Sequence, residues 1–526
     1  MPRPIAAACA LCALSASLAA SADGAAPVRQ GIAIGAALSD DGSTISGEVR
    51  IRVANDTGAP VGSIPLWLYP NRFADPEAQV DDRMSHWLYP AGESEAGMEI
   101  SSPRWNGATL AADAIRYEPT PAEVRPAGTD RVLARVILPA PLAAGAAGEL
   151  VLVFRTRIPE RRGRFGRYRG TVALGGDFFP RPLADLTGRD TTVPPRPAAF
   201  AARLSVPGGR GAVIGDRVYP IDPARRTLEI DGVRGEALSI VVMARMEIAT
   251  ARLSFGEAVY VSARTRPDPY TWRESRQPED RVPASSNPDI GRVDFAARAF
   301  GVLDRCAAAL RETGPTAPMP ARIVIVEIPA FDRLAQWSPG QVLVSDRLYG
   351  LVPFERALAF HDAALAQELG AALAAGISSD EPPSLRFLAA EVVGARVREL
   401  YVTAAHGRAE SLKDVVGFAA FIPYVDNLLY APEVPFREAY VASPEEEDGL
   451  RDAPWRFMNE LPRGRRIFAK LEDLLGADAA ADLVAEYVRG RIGFDALLRE
   501  RLGSRAARFE ADWFGAYPKV NYRIAG

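Results

Sequence analysis

The sequence predicts a multidomain chain, an N-terminal all-β saddle or sandwich followed by an α+β domain. Three observations carry that prediction. From Gln30 to about Arg264, short apolar or alternating runs are separated by turn residues, with no long helical pattern. Between Arg266 and Arg292 stand five prolines among charged and small polar residues, the composition of a linker or long surface loop. Beyond Asp294, helical periodicity dominates and only a few strands remain. The expected organisation is residues 1–22 as an export signal, 23–265 as the β domain, 266–292 as the linker or loop and 293–526 as the α+β domain.

Taken in order, the first 22 residues have the three parts of a secretory signal. Arg3 supplies the positive end, Ile5 to Ala20 the apolar run, and Ala20-Ser21-Ala22 the small-residue cleavage site. A run of about 16 mildly apolar residues is short for a membrane span, so export with cleavage is expected, to the periplasm or beyond. Cys9 and Cys12 leave with the signal, so the remaining Cys306 has no intramolecular disulfide partner. It falls on an apolar stripe with Phe295, Val302, Leu303 and Leu310, where a buried thiol is expected. No later run approaches the roughly 18 apolar residues of a span, so no transmembrane segment is expected in the mature chain. The formal charge of -4 over 526 residues argues against a nucleic-acid partner.

In the β domain, Ile45, Val49, Ile51 and Val53 alternate with polar or small residues, a half-buried strand. Asn55-Asp-Thr-Gly58 reads as a turn, and Ile64 to Tyr69 as the next strand, ended by Pro70-Asn71. Glu149–Phe154 and Ala237–Met243 are apolar on both faces, as central strands are. The basic run Arg161-Arg-Gly-Arg-Phe-Gly-Arg167 is expected to be a solvated loop, with an anion site the lesser alternative.

In the second domain a helix from Asp294 to Glu312 leads into strands at Arg322–Ile328 and Gln341–Ser345. Then comes the helix on which the functional question turns. Phe354, Leu358, Leu365, Leu369 and Leu373 recur at spacings of 4, 7, 4 and 4, a helix with one face in a core. His361 lies inside that stripe, with Asp362 beside it. A zinc-peptidase helix reads H-E-x-x-H, because i and i+4 aim two imidazoles at one metal while the Glu serves as general base. Here only the first His is present; Asp replaces the Glu, and Leu365 stands at the second ligand position. Helices at Leu385–His406, Gly464–Leu475, Ala479–Arg489 and Phe494–Leu502 complete the domain.

The order of these pieces resembles the aminopeptidase N family of gluzincin metallopeptidases over nearly the whole mature chain. Gly47-Glu-Val-Arg-Ile, the Asn55 turn, Leu66-Trp-Leu-Tyr-Pro-Asn71 and Phe178-Phe-Pro180 are similar to that family's N-terminal saddle. Pro462-Arg-Gly464 resembles its Y-x-K-G segment, and Leu475-Gly476, Tyr487, Phe494 and Trp513 the stretch that closes the peptidase domain. The resemblance implies a thermolysin-like (gluzincin) fold for the second domain. It also implies a zinc site with two His, a third-ligand Glu, a general-base Glu and an oxyanion-stabilising Tyr.

Measured against that pattern, the chain resembles a degenerate member. The W-L-x-E-G segment is similar to Phe387-Leu-Ala-Ala390-Glu391, which places Ala390 at the third-ligand position and Glu391 one residue off. Leu461 stands for the tyrosine, and the G-x-M-E-N element has no recognisable counterpart near Gln341. Asp362 is one methylene shorter than a glutamate and reaches a metal-bound water poorly.

Two readings follow. In the first the chain is an exported pseudopeptidase without metal or cofactor, a peptide- or protein-binding scaffold with a groove beside an edge strand. In the second it is an active zinc hydrolase rebuilt on His361, Asp362, Glu368 and Glu391, with His361, Glu368 and Glu391 as the metal donors. His361 and Glu368 share a helix face but are about 10 Å apart along the axis, long for one coordination shell. Apart from either reading, His361 fits a polar residue in a packed cleft, and Glu391 a carboxylate paired with Arg386 or Arg396.

Overall fold

The computed structural model describes residues 31–74, 89–92, 94–118, 131–175, 178–183, 186–187, 198–235, 238–263, 294–314, 318–330, 335–338, 340–346, 355–375, 377, 383–406, 463–490 and 492–513. The stretch expected as an export signal, the one expected as a linker or loop at 266–292, and Leu461 lie outside them. The chain divides into two compact units, Met1–Arg245 and Met246–Gly526.

In the first unit, a seven-stranded sheet runs in the order Thr227–Gly235, Ala198–Ser205, Gly31–Leu38, Thr44–Ala54, Ala147–Arg157, Gly97–Trp105 and Ala108–Thr109. A five-stranded sheet is built from Arg217–Tyr219, Gly211–Ile214, Ile240–Met243, Thr171–Leu174 and Phe165–Tyr168. A four-stranded sheet contains Arg181–Pro182, Val61–Trp67, Leu133–Leu142 and Ile115–Glu118. The alternation at 45–53 does what the sequence requires, because Ile45, Val49, Ile51 and Val53 all turn into one apolar core. Asn55 makes its turn from inside: its side-chain amide donates to the carbonyls of Ala59 and Leu142, both at 2.8 Å, and its oxygen accepts from Thr57. Asn71 is similarly buried, donating to Arg131 O at 2.7 Å. The strand at Ala147–Arg157 is interior to its sheet as expected, although Val153 stands 38% exposed on one face.

The basic run is not a solvated loop. Arg161, Arg162 and Arg164 are buried and lie over aromatic rings: Arg161 over Phe73 at 4.6 Å, Arg162 over Tyr168 at 4.6 Å, Arg164 over Tyr69 at 5.5 Å. A planar, weakly hydrated guanidinium stacks on a ring at less desolvation cost than an ammonium, which is why arginine is used here. Charge counting along the sequence cannot see the rings that receive the charges.

The second unit has one described sheet, ordered Glu247–Arg252, Glu257–Ser262, Arg322–Ile328, Gln341–Ser345, Ala335–Ser338. The two strands at 247–262 correct the expected boundary at 265. Glu257–Ser262 pairs in parallel with Arg322–Ile328, Val259 opposite Val324, so it belongs with the helical half and not with the β domain. Nothing in an isolated apolar strand tells which sheet it will join; the pairing does. Helices follow: α1, Phe295–Thr313; α2, Glu355–Ala374; α3, Pro383–His406; α4, Arg463–Leu475; α5, Ala477–Val488; α6, Phe494–Leu502; α7, Ala506–Trp513. Asp294 caps α1 by accepting from the Ala297 N–H at 3.0 Å.

Helix α2 was expected to bury one face. Over residues 361–374 it is buried almost all round, with only Ala364 half-exposed. Its small residues allow this. Gly370 on α2 and Gly394 on α3 lie where the two helices pack closely. A Cβ on Gly394 would lie 2.5 Å from the Gln367 carbonyl and 2.9 Å from the Ala371 nitrogen. One on Gly370 would lie 2.8 Å from the Val397 Cβ. Cys306 is buried against α2, its thiol 3.6 Å from the Ala366 carbonyl, and burial holds its pKa well above the usual thiol range. No helix among the described residues is long and apolar enough to cross a membrane.

Candidate functional site

The site is assembled from α1, α2, α3 and the edge strand Ala335–Ser338. His361 and Asp362 sit on α2, and neighbouring residues on a helix diverge by about 100°. Asp362 turns to α1, where Arg298 meets it in a fork. Arg298 Nε donates to Asp362 Oδ1 at 2.9 Å and to Oδ2 at 3.1 Å, and Nη2 donates to Oδ2 at 2.7 Å. The Arg298 side chain is 19% exposed and that of Asp362 6%. A bidentate, nearly buried pair of this kind is the strong class of charged hydrogen bond. A general base instead needs its carboxylate turned toward a water or substrate proton.

His361 is 5% exposed. Burial, and after it the nearby Arg298 charge, push its pKa down from 6.5 to about 4. At neutral pH the ring is therefore uncharged. Tyr401 on α3 belongs to the same neighbourhood: burial, and then the Asp362 carboxylate, hold its phenol above its ordinary range, and Arg305 lies 5.6 Å from its ring.

The remaining positions lie elsewhere. Leu365 is fully buried in the core of the second unit, and Ala390, in the same core, is 1% exposed. Neither carries a donor atom. Glu368 is buried, and its Oε2 accepts the Trp337 backbone N–H at 3.0 Å. It thereby occupies a donor of the strand that is outermost in this sheet among the described residues, the kind of strand to which an extended peptide can add. The Trp337 ring stacks on Phe387 of α3 at 4.2 Å. Glu391 is half-buried, and Gly464 at the start of α4 packs on its main chain; a Cβ there would lie 2.3 Å from the Glu391 carbonyl oxygen. Arg396 pairs with Glu399, three residues along the same helix. Leu461 and His86 lie outside the described residues, as does the side chain of His406.

Arg298, Trp337 and Tyr401 were not found from the sequence. Only Arg298 left a signal. It stands three residues after Phe295 and four before Val302, inside the stripe that α1 buries.

A zinc ion needs three or four convergent donors. Among the described residues, no three His, Cys, Asp or Glu side chains form a group able to hold a metal ion. Of the positions read from the sequence, Leu365 and Ala390 offer no side-chain donor atom, and His361 lies within the influence of the Arg298 charge.

No family model matches this sequence, and no curated protein does. Solved structures similar to it include an M1 zinc metallopeptidase from Deinococcus radiodurans, 17% identical, covering 92% of both chains with a TM-score of 0.47. A mutant two-domain M1 zinc metallopeptidase bound to L-tryptophan is likewise 17% identical, at TM-score 0.47, covering 92% of this chain and 94% of its own. A mutant Deinococcus radiodurans enzyme bound to a Tyr-Ser-Ala substrate gives a TM-score of 0.45 at 17% identity, covering 92% of this chain and 93% of that one. Likeness at this level assigns no chemistry to the chain.

Proposed function

We propose that this is an exported, non-catalytic relative of aminopeptidase N-type zinc peptidases, retained as a scaffold that binds a peptide or protein. The family part rests on the ordered motifs of the sequence, from Gly47 to Trp513. The loss of catalysis rests on one observation above the others: the carboxylate at the general-base position is held bidentately by Arg298. Leu365 and Ala390 in the core remove two of the three metal donors on the same reading. Turning the Glu368 Oε2 to a metal would release the Trp337 N–H, leaving a buried donor unmet at about 1–3 kcal/mol.

Strand addition at Ala335–Ser338 faces that same obstacle at Trp337, so a ligand docking there must displace the Glu368 carboxylate. Activity is tested by incubating the purified mature protein with aminoacyl-4-nitroanilides and added zinc. No cleavage above background is expected. Cleavage abolished by His361→Ala would overturn this reading and favour the rebuilt zinc enzyme.

A further inference from the structure

The α1–α2 contact brings one fixed cation to two groups at once. The Arg298 guanidinium makes three hydrogen bonds of 2.7–3.1 Å to Asp362, and it lies close enough to His361 to bear on that ring's charge. A divalent ion on His361 would therefore sit beside a permanent positive charge that cannot be titrated away. The carboxylate next to it in sequence, Asp362, already has its charge balanced by that guanidinium.

We infer that Arg298 is the resident cation of this site, a guanidinium supplied by the chain that balances Asp362 and bars a divalent metal from His361. The inference rests on reading α2 as the counterpart of a metal-site helix. Arg298 here is a positioning residue, not a catalytic one. In a metal site the ion offsets the buried carboxylates and ties separate helices together. Here a side chain of α1 does both for α2, and does so without solvent exchange. Removing either partner alone leaves an uncompensated buried charge, whereas removing both leaves two neutral polar groups of similar size.

The test is a double-mutant cycle with a metal readout. Arg298→Gln and Asp362→Asn are each expected to lower the thermal midpoint by about 10 °C, and the double variant to recover at least half of that loss. Additive losses, or a double variant no more stable than Arg298→Gln alone, would overturn the assignment. If Arg298→Gln fails to fold, the double variant must still fold; its failure overturns the assignment too. Where Arg298→Gln does fold, direct titration with zinc is expected to give at least tenfold tighter binding than in the unmodified chain, since a like charge is gone and Asp362 is released. Equal zinc affinity would contradict the inference. Peptidase activity would sink the non-catalytic reading while leaving this cycle intact, and an additive cycle would sink the cycle while leaving the protein inactive.

Discussion

At Asp362, the missing methylene matters less than the direction of the side chain. A carboxylate forked to Arg298 is a structural ion pair, and lengthening it to glutamate does not by itself turn it toward a substrate. His361 beside it yields a pH prediction. Its folded pKa of about 4 lies below the ordinary 6.5, with burial the first cause and Arg298 the second. Below pH 6.5 the unfolded chain takes up a proton that the folded chain refuses, so stability is whole above 6.5 and is lost as pH falls toward 4. Between pH 7.5 and 5 this group should remove about 2 kcal/mol. Urea unfolding of the wild type and of His361→Gln at both pH values checks it, with the extra loss expected only in the wild type. At this scale the sequence was half legible. Asp362, Leu365 and Ala390 were visible as departures from a motif, but Arg298 lies 64 positions from Asp362, and only its place in an apolar stripe hinted at a buried charge.

The helices and strands were far more legible than their neighbours. The strands at Arg322–Ile328 and Gln341–Ser345 and the helix at Phe494–Leu502 have the bounds that periodicity predicts. Failures came where an element's environment decides: α2 buries more than one face, and the basic run is packed on rings. The α2–α3 contact supports a prediction. Gly394→Ala would place a Cβ 2.5 Å from the Gln367 carbonyl, and backbone cannot move aside as a flexible side chain can. Separating two closely packed helices should cost about 1–3 kcal/mol. Chemical denaturation measures this, and an unchanged midpoint would show that the helices pack less closely than described.

For the whole molecule, the position of the strands at 247–262 changes what a cut at the proline-rich stretch should do. That stretch was expected to join two domains, yet both of its flanks belong to the second unit. A protease nick between 266 and 292 leaves Glu257–Ser262 paired with Arg322–Ile328, so the fragments are held by sheet hydrogen bonds and a shared core. Two bands on a denaturing gel that co-elute in gel filtration are expected, since exposed polar loops are where proteases cut first. Fragments that elute separately under native conditions would restore the original boundary. The central claim, that the chain keeps a peptidase-like framework without the metal chemistry, meets its most direct test in elemental analysis of the purified mature protein after dialysis against micromolar zinc. Well under one zinc per chain is predicted, because the Arg298 charge bears on His361 and, on the proposed reading, Leu365 and Ala390 stand at the second and third donor positions. One zinc per chain, lost in His361→Ala, would contradict it.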